Sequence, residues 1–226
     1  MEQNNKLFLF DIDGTLVNLR SIWEEMYMRL YTDVAGFELM PTELHSKFGP
    51  PEYDGHKAIL EGRGVYTSHK VDELVQESER RMVVRLGQPD IPTYVLHSVV
   101  DCLDFICQKG YARGIVTGNM EPIAEAILQG AGLRDYFSVM GCSIVQTKRR
   151  AEIVLRAVQG FEQQNRLFLP QHIYVIGDTP LDVQSAKECG YVSVGVATGH
   201  YTRAELACHN PDYLLSDMRE FRIILG

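Results

Sequence analysis

Two aspartates one residue apart, Asp11 and Asp13, close the unbroken apolar run Leu7–Phe10, and Gly14 follows at once. The run reads as a strand buried on both faces. A carboxylate at the end of such a strand is costly to bury unless a cation or donors offset it. The pattern therefore asks for positive charge close by. In extended chain, residues i and i+2 project to the same side. That turns Ile12 towards the core and gives Asp11 and Asp13 one shared site, while Gly14 permits a sharp turn. Paired carboxylates placed this way suit nucleophilic attack, proton transfer or the holding of a hard divalent ion.

Two more apolar runs end in reactive residue types. "GIVTGN" ends with Thr117, whose hydroxyl can donate to an anion, and the amides of Gly118 and Asn119 precede a helix starting near Glu121–Pro122. "IYVIGDTPLD" ends with Asp178, and Asp182 lies one helical turn further on. Lys148, Arg149 and Arg150 open another helix. The macrodipole disfavours cations there by about 0.3–1 kcal/mol each, so at least one of them is expected to have a function.

The elements that must position these groups alternate. Strands are expected at 6–11, 112–118, 136–141, 172–178, 191–197 and 212–215, and helices at about 94–109, 121–130, 149–161, 179–189 and 217–224. That rhythm indicates a parallel α/β sheet covered on both faces, with ligands bound beyond the carboxyl ends of its strands. Residues 17–90 break the rhythm. They read as helices at 20–34, 41–48, 54–62 and 68–86, returning to the sheet near "GQPDIPT". In this insertion Trp23, Tyr27 and Tyr31 recur at i, i+4 and i+8, the spacing of a packed helix face. "FGPPEYDG" (48–55) reads either as a helix breaker or as a loop above the site.

Composition narrows the function classes. The 226 residues carry a net charge of −8, which argues against nucleic acid as partner. The five cysteines, Cys102, Cys107, Cys142, Cys189 and Cys208, contain no C-x-x-C pair and read as buried reduced thiols. Neither a signal peptide nor a transmembrane span is legible, so a cytoplasmic protein with no membrane partner is expected. No P-loop or Rossmann dinucleotide fingerprint occurs.

Taken in order, "DIDGT", "IVTGN", a lysine and "GDTPLD" resemble the four motifs of the haloacid dehalogenase superfamily, in its phosphatase type with a helical cap inserted after the first motif. The resemblance implies an α/β fold: a Rossmann-like, doubly wound parallel sheet core with an inserted all-helical cap domain. Residues 1–16 and 91–226 would form the catalytic core and 17–90 the cap. It implies that Asp11 is the nucleophile and forms an aspartyl phosphate. Asp13 would protonate the leaving alcohol and then activate water. Asp11, the backbone carbonyl of Asp13, and Asp178 would hold Mg²⁺, with Asp182 behind them. Thr117, Gly118, Asn119 and Lys148 would bind phosphate. Lys148 is favoured because "AEI" after it fits the family spacing, although the family often has proline after this lysine. Arg149 and Arg150 read as solvated surface. Similar caps place a glycine-containing loop over the substrate, which would give Gly49, Pro50 and Tyr53 that role.

The expected activity is Mg²⁺-dependent hydrolysis of a small phosphate monoester, with phosphoglycolate as the specific substrate that the cap type suggests. The expected partner is a small phosphorylated metabolite, and the chain a monomer or homodimer. A phosphoglucomutase-like phosphotransferase would use the same four motifs. A non-catalytic phosphometabolite-binding module is the alternative from another class. Dehalogenase chemistry fits less well, because a halide leaving group needs no acid at Asp13.

Overall fold

The computed structural model describes residues 5–46, 52–144, 147 and 149–225. The expectations on Gly49, Pro50 and Lys148 fall outside them.

Among the described residues, six strands form one wholly parallel sheet in the order β3-β2-β1-β4-β5-β6. The strands are β1 (Leu7–Phe10), β2 (Ala112–Met120), β3 (Val139–Ser143), β4 (Ile173–Gly177), β5 (Val192–Val196) and β6 (Tyr213–Leu215). The continuous apolar reading of β1 has a direct cause: Phe8 and Phe10 enter one core and Leu7 and Leu9 the other. Helices α5 (Val99–Gln108) and α6 (Glu121–Gly130) supply Leu103, Ile106 and Ile127 to the first core. Helix α7 (Arg150–Gln163) supplies Ile153, Val154 and Phe161 to the second, joined there by Ala186 of α8 (Pro180–Glu188).

Between β1 and α5 lie α1 (Arg20–Leu30), a π turn (Tyr31–Ala35), α2 (Pro41–Ser46), α3 (Glu52–Gly62) and α4 (Ser68–Leu86). Their buried residues, among them Leu30, Leu60, Leu74 and Met82, are continuous with the first core. The outgoing and returning chain run side by side at the base of this helical segment. Asn18 donates its amide to Tyr94 O (2.8 Å) and Leu96 to Leu16 O (2.9 Å). Trp23, Tyr27 and Tyr31 are buried, and the rings of Trp23 and Tyr27 stack with centroids 5.6 Å apart.

Several expectations need correction. The run 136–141 joins the sheet only from Val139, because Arg134–Tyr136 is a 3-10 turn whose Tyr136 hydroxyl donates to Asp104 (2.7 Å). The helix expected from 94 starts at Val99, after Ser98 takes a left-handed φ of 63°. Residues 218–225 wind as 3-10 rather than α-helix. A short helix, α9 (Arg203–Ala207), was not foreseen; Thr202 and Glu205 cap it reciprocally. Helix α3 starts at Glu52, so Tyr53 lies in its first turn and packs against the helical core instead of standing in a loop. Of the cysteines, all free, Cys102 and Cys142 are buried, but Cys107 and Cys208 face solvent at helix ends. No helix among the described residues is long and apolar enough to cross a membrane.

Candidate active site

Strand β1 pairs with β2 on one side and β4 on the other; the chain leaves β1 towards β2 and leaves β4 towards β5, in opposite directions, which opens a crevice at their carboxyl ends. Phe10 is opposite both Ile115 and Ile176. This register carries Asp11, Thr117 and Asp178 to one end of the sheet, Thr117 and Asp178 each standing two residues beyond a partner of Phe10. All three are buried. Asp11 donates its amide to Ile176 O (2.9 Å), which extends the ladder one residue past the strand. The turn behind it uses Gly14 at φ 79°, with the Gly14 amide donating to Val17 O (2.7 Å).

A cation does meet the carboxylates, but it is Arg150. From the first position of α7 its Nη2 donates to Asp11 Oδ1 (2.5 Å), Asp182 Oδ1 (2.8 Å) and Val116 O (3.2 Å). The expectation of a solvated Arg150 is therefore wrong: two buried carboxylates outweigh the adverse helix end. It holds for Arg149, whose side chain is 70% exposed and pairs only loosely with Glu152 at 3.7 Å.

Oxygens of Asp11, Asp178 and Asp182 all come within 4.8 Å of one another. Asp182 also accepts from the Thr179 amide (3.1 Å) and hydroxyl (2.7 Å), a capping box that fixes the start of α8. Asp178 is clasped between two glycines. A Cβ on Gly14 would stand 2.4 Å from its Oδ2, and one on Gly199 only 1.7 Å. The Thr15 hydroxyl (3.4 Å) and the His200 amide (3.3 Å) donate to it. The Asp13 carboxylate turns elsewhere. Its Oδ2 accepts from Asn119 Nδ2 (2.7 Å) and its Oδ1 from Trp23 Nε1 (3.0 Å). Thr117 Oγ1 accepts from the Asn119 amide (3.2 Å), and Gly118 is exposed at the crevice edge.

The electrostatics follow from burial. Burial pushes Asp11 well above the usual carboxylate range; Arg150 opposes this, while Asp182, Asp178 and Asp13 add to it. Burial and Asp182 push Asp178 up to about 7. Burial also raises Asp13, against the hydrogen bonds from Asn119 and Trp23. Burial disfavours the charge on Arg150, but Asp182 and Asp11 outweigh it and hold the guanidinium firmly protonated. Among the described residues, one guanidinium, paired with Asp11 and Asp182, thus meets a cluster of three buried carboxylates. These hard oxygen donors, all within 4.8 Å of one another, fit a divalent cation of the Mg²⁺ kind. Such an ion would add positive charge to that of Arg150.

Arg150, Trp23, the Asn119 side chain and Gly199 were not legible as site residues. For Arg150 the misplaced positive charge at a helix start was a signal. For Trp23 its i, i+4 spacing pointed only to packing. Gly199 carried no signal before the fold placed it against Asp178.

A family model described as haloacid dehalogenase-like hydrolase matches residues 5–190. The chain is 25% identical over 228 residues to the pyrophosphatase PpaX of Anoxybacillus flavithermus, covering 99% of this chain and 98% of that one. It is 26% identical over 249 residues to the phosphoglycolate phosphatase of Salmonella typhi, covering 99% and 94%. The solved β-phosphoglucomutase of Clostridium difficile superposes with a TM-score of 0.80 at 18% identity, covering 97% and 95%, a likeness of fold. Motifs, crevice and family model agree, and the chain belongs to the haloacid dehalogenase-like hydrolases.

Proposed function

We propose that the protein is a Mg²⁺-dependent phosphatase that hydrolyses a small phosphate monoester through a covalent aspartyl phosphate on Asp11. The observation that carries this is the pairing of roles at the end of β1. Asp11 is bound by the guanidinium of Arg150, while Asp13 has its own two donors and stays outside that ion pair. Arg150 favours the charged form of Asp11 against its burial, and Asp13, oriented by its own donors, is left to exchange a proton.

Asp11 attacks phosphorus, and the bond to the leaving oxygen breaks as Asp13 delivers a proton to it. Asp13 then takes a proton from water as that water displaces phosphate from Asp11. Arg150 favours the anionic form of Asp11 and, with Lys148, would offer charge to the phosphoryl oxygens. Thr117 and the amides of Gly118 and Asn119 would donate to the remaining oxygens. Asp11, the carbonyl of Asp13, and Asp178 would hold Mg²⁺, with Asp182 fixing Arg150 behind them. The ion would supply electrostatic relief between nucleophile and phosphate. The paired segments at Val17 and Val95 support a division into a core (1–16 and 91–226) and a helical cap (17–90) that selects the ester. Phosphoglycolate is the first substrate to try, given the relatives; a phosphotransferase would differ only in the acceptor that meets the aspartyl phosphate.

The test is a panel of phosphate monoesters with Mg²⁺. Wild type releases inorganic phosphate, and Asp11→Asn, nearly isosteric, loses at least about 10³-fold in kcat with an unchanged fold. Retention of most of the rate by that variant would remove Asp11 as nucleophile.

A further inference from the structure

We propose that Trp23, from the helical segment, is a positioning residue for the proton transfer at Asp13; this rests on the phosphatase reading above. The indole Nε1 donates to Asp13 Oδ1 at 3.0 Å, while Asn119, from the end of β2, donates to Oδ2 at 2.7 Å. A carboxylate turns easily about its terminal torsion, which is broad and two-fold. One donor on each oxygen, from two separate elements, fixes the plane of the group. The indole N–H is a donor only, so it orients Asp13 without competing for the proton.

The ring is itself held. Trp23 is 6% exposed and stacks on Tyr27 with an interplanar angle of 22°. The Tyr27 hydroxyl donates to Glu52 Oε1 (3.4 Å), which also accepts the hydroxyl of buried Ser78. A chain of contacts thus runs from the centre of the helical segment, through α3 and α4 to α1, and ends on the acid–base carboxylate. Packing alone would require the ring but not its nitrogen aimed at Asp13. The helical segment thus sets the geometry of the proton donor.

The test uses Trp23→Phe, which keeps an aromatic ring against Tyr27 and deletes the donor. An alkyl phosphate, whose leaving oxygen needs a proton, should lose about ten- to a hundredfold in kcat, the scale of one hydrogen bond to a charged group, with KM within about threefold. p-Nitrophenyl phosphate, whose leaving group hardly needs a proton, should keep its fast first step and show a burst of nitrophenolate before a slow steady state. Equal losses in the alkyl rate and in the burst rate, or no loss in either, would overturn the proposal. Because Trp23 is the only tryptophan in the chain, wild type gives one indole N–H resonance in a ¹⁵N–¹H spectrum. That resonance should move upfield in Asp13→Ala, a measurement that needs neither turnover nor the Phe variant. An unmoved resonance would show that the contact is not made and would end the proposal. Wild type without turnover of any ester would refute the phosphatase reading instead, and this proposal with it.

Discussion

Replacing Arg150 by Met removes the one guanidinium that, among the described residues, pairs with the buried carboxylates, and keeps most of the side-chain volume. Its Nη2 touches Asp11 and Asp182, which are nearly inaccessible, and the Arg150 side chain is itself only 16% exposed. Removing one member of a buried ion pair costs about 3–5 kcal/mol, because the partner charge stays behind. At about 2.1 cal/mol/K of unfolding entropy per residue, 226 residues give about 0.47 kcal/mol/K, so Tm should fall by about 6–11 °C. The loss depends on pH. Arg150 is what holds Asp11 down against burial, so in the variant Asp11 takes up a proton more readily. Protonation relieves the uncompensated charge, and the loss should be larger at pH 8 than at pH 5.5. The assay is thermal unfolding in chelator at both pH values, with Arg149→Met as control for an exposed cation of the same run. Mg²⁺ should then restore more of the Tm in Arg150→Met than it adds to wild type, since it can screen the carboxylates that Arg150 no longer reaches. An Arg150→Met loss no larger than that of Arg149→Met, in chelator at pH 8, would refute the claim that Arg150 balances this site.

Metal-free wild type should lose stability as pH rises from about 4 to about 7. Asp178, pushed up to about 7 in the fold, keeps its proton there while the unfolded chain has released it. The folded state binds more protons across that window, so stability falls with pH, by roughly 4 kcal/mol at 1.36 kcal/mol per pH unit. Urea unfolding in chelator should show a shallower slope in Asp178→Asn than in wild type, the remainder coming from Asp11 and Asp13, which burial also raises, and Mg²⁺ should flatten it; identical slopes in the two proteins would refute the assignment. Gly199→Ala should weaken Mg²⁺ activation, because its Cβ would stand 1.7 Å from Asp178 Oδ2 and must displace it; a metal titration of activity with an unchanged midpoint would show that Asp178 does not hold the ion.

Much of this protein was legible in one dimension. The period of its apolar residues gave five of the six strands almost residue for residue, since a strand buried on both faces must be apolar throughout and must end where polar groups begin. The same ending marked Asp11, Thr117 and Asp178, and the parallel pairing of β1 with β2 and β4 brought them together. What stayed hidden depended on distance through space. Whether Lys148, Arg149 or Arg150 meets the carboxylates is set by where α7 begins and how its first turn faces Asp11. Their shared charge carried no information on that. Trp23 looked like packing because burial and spacing are all that a helix face records. The direction of its N–H was decided by the return of α1 over the end of β1. Gly199 mattered only once the loop after β5 was laid against Asp178, where the lack of a side chain makes room for a carboxylate. Local sequence determined which groups stand at the strand ends, because strand pattern and turn chemistry are short-range. Tertiary structure decided which of them touch, because contacts between side chains on different elements are fixed only when both cores close.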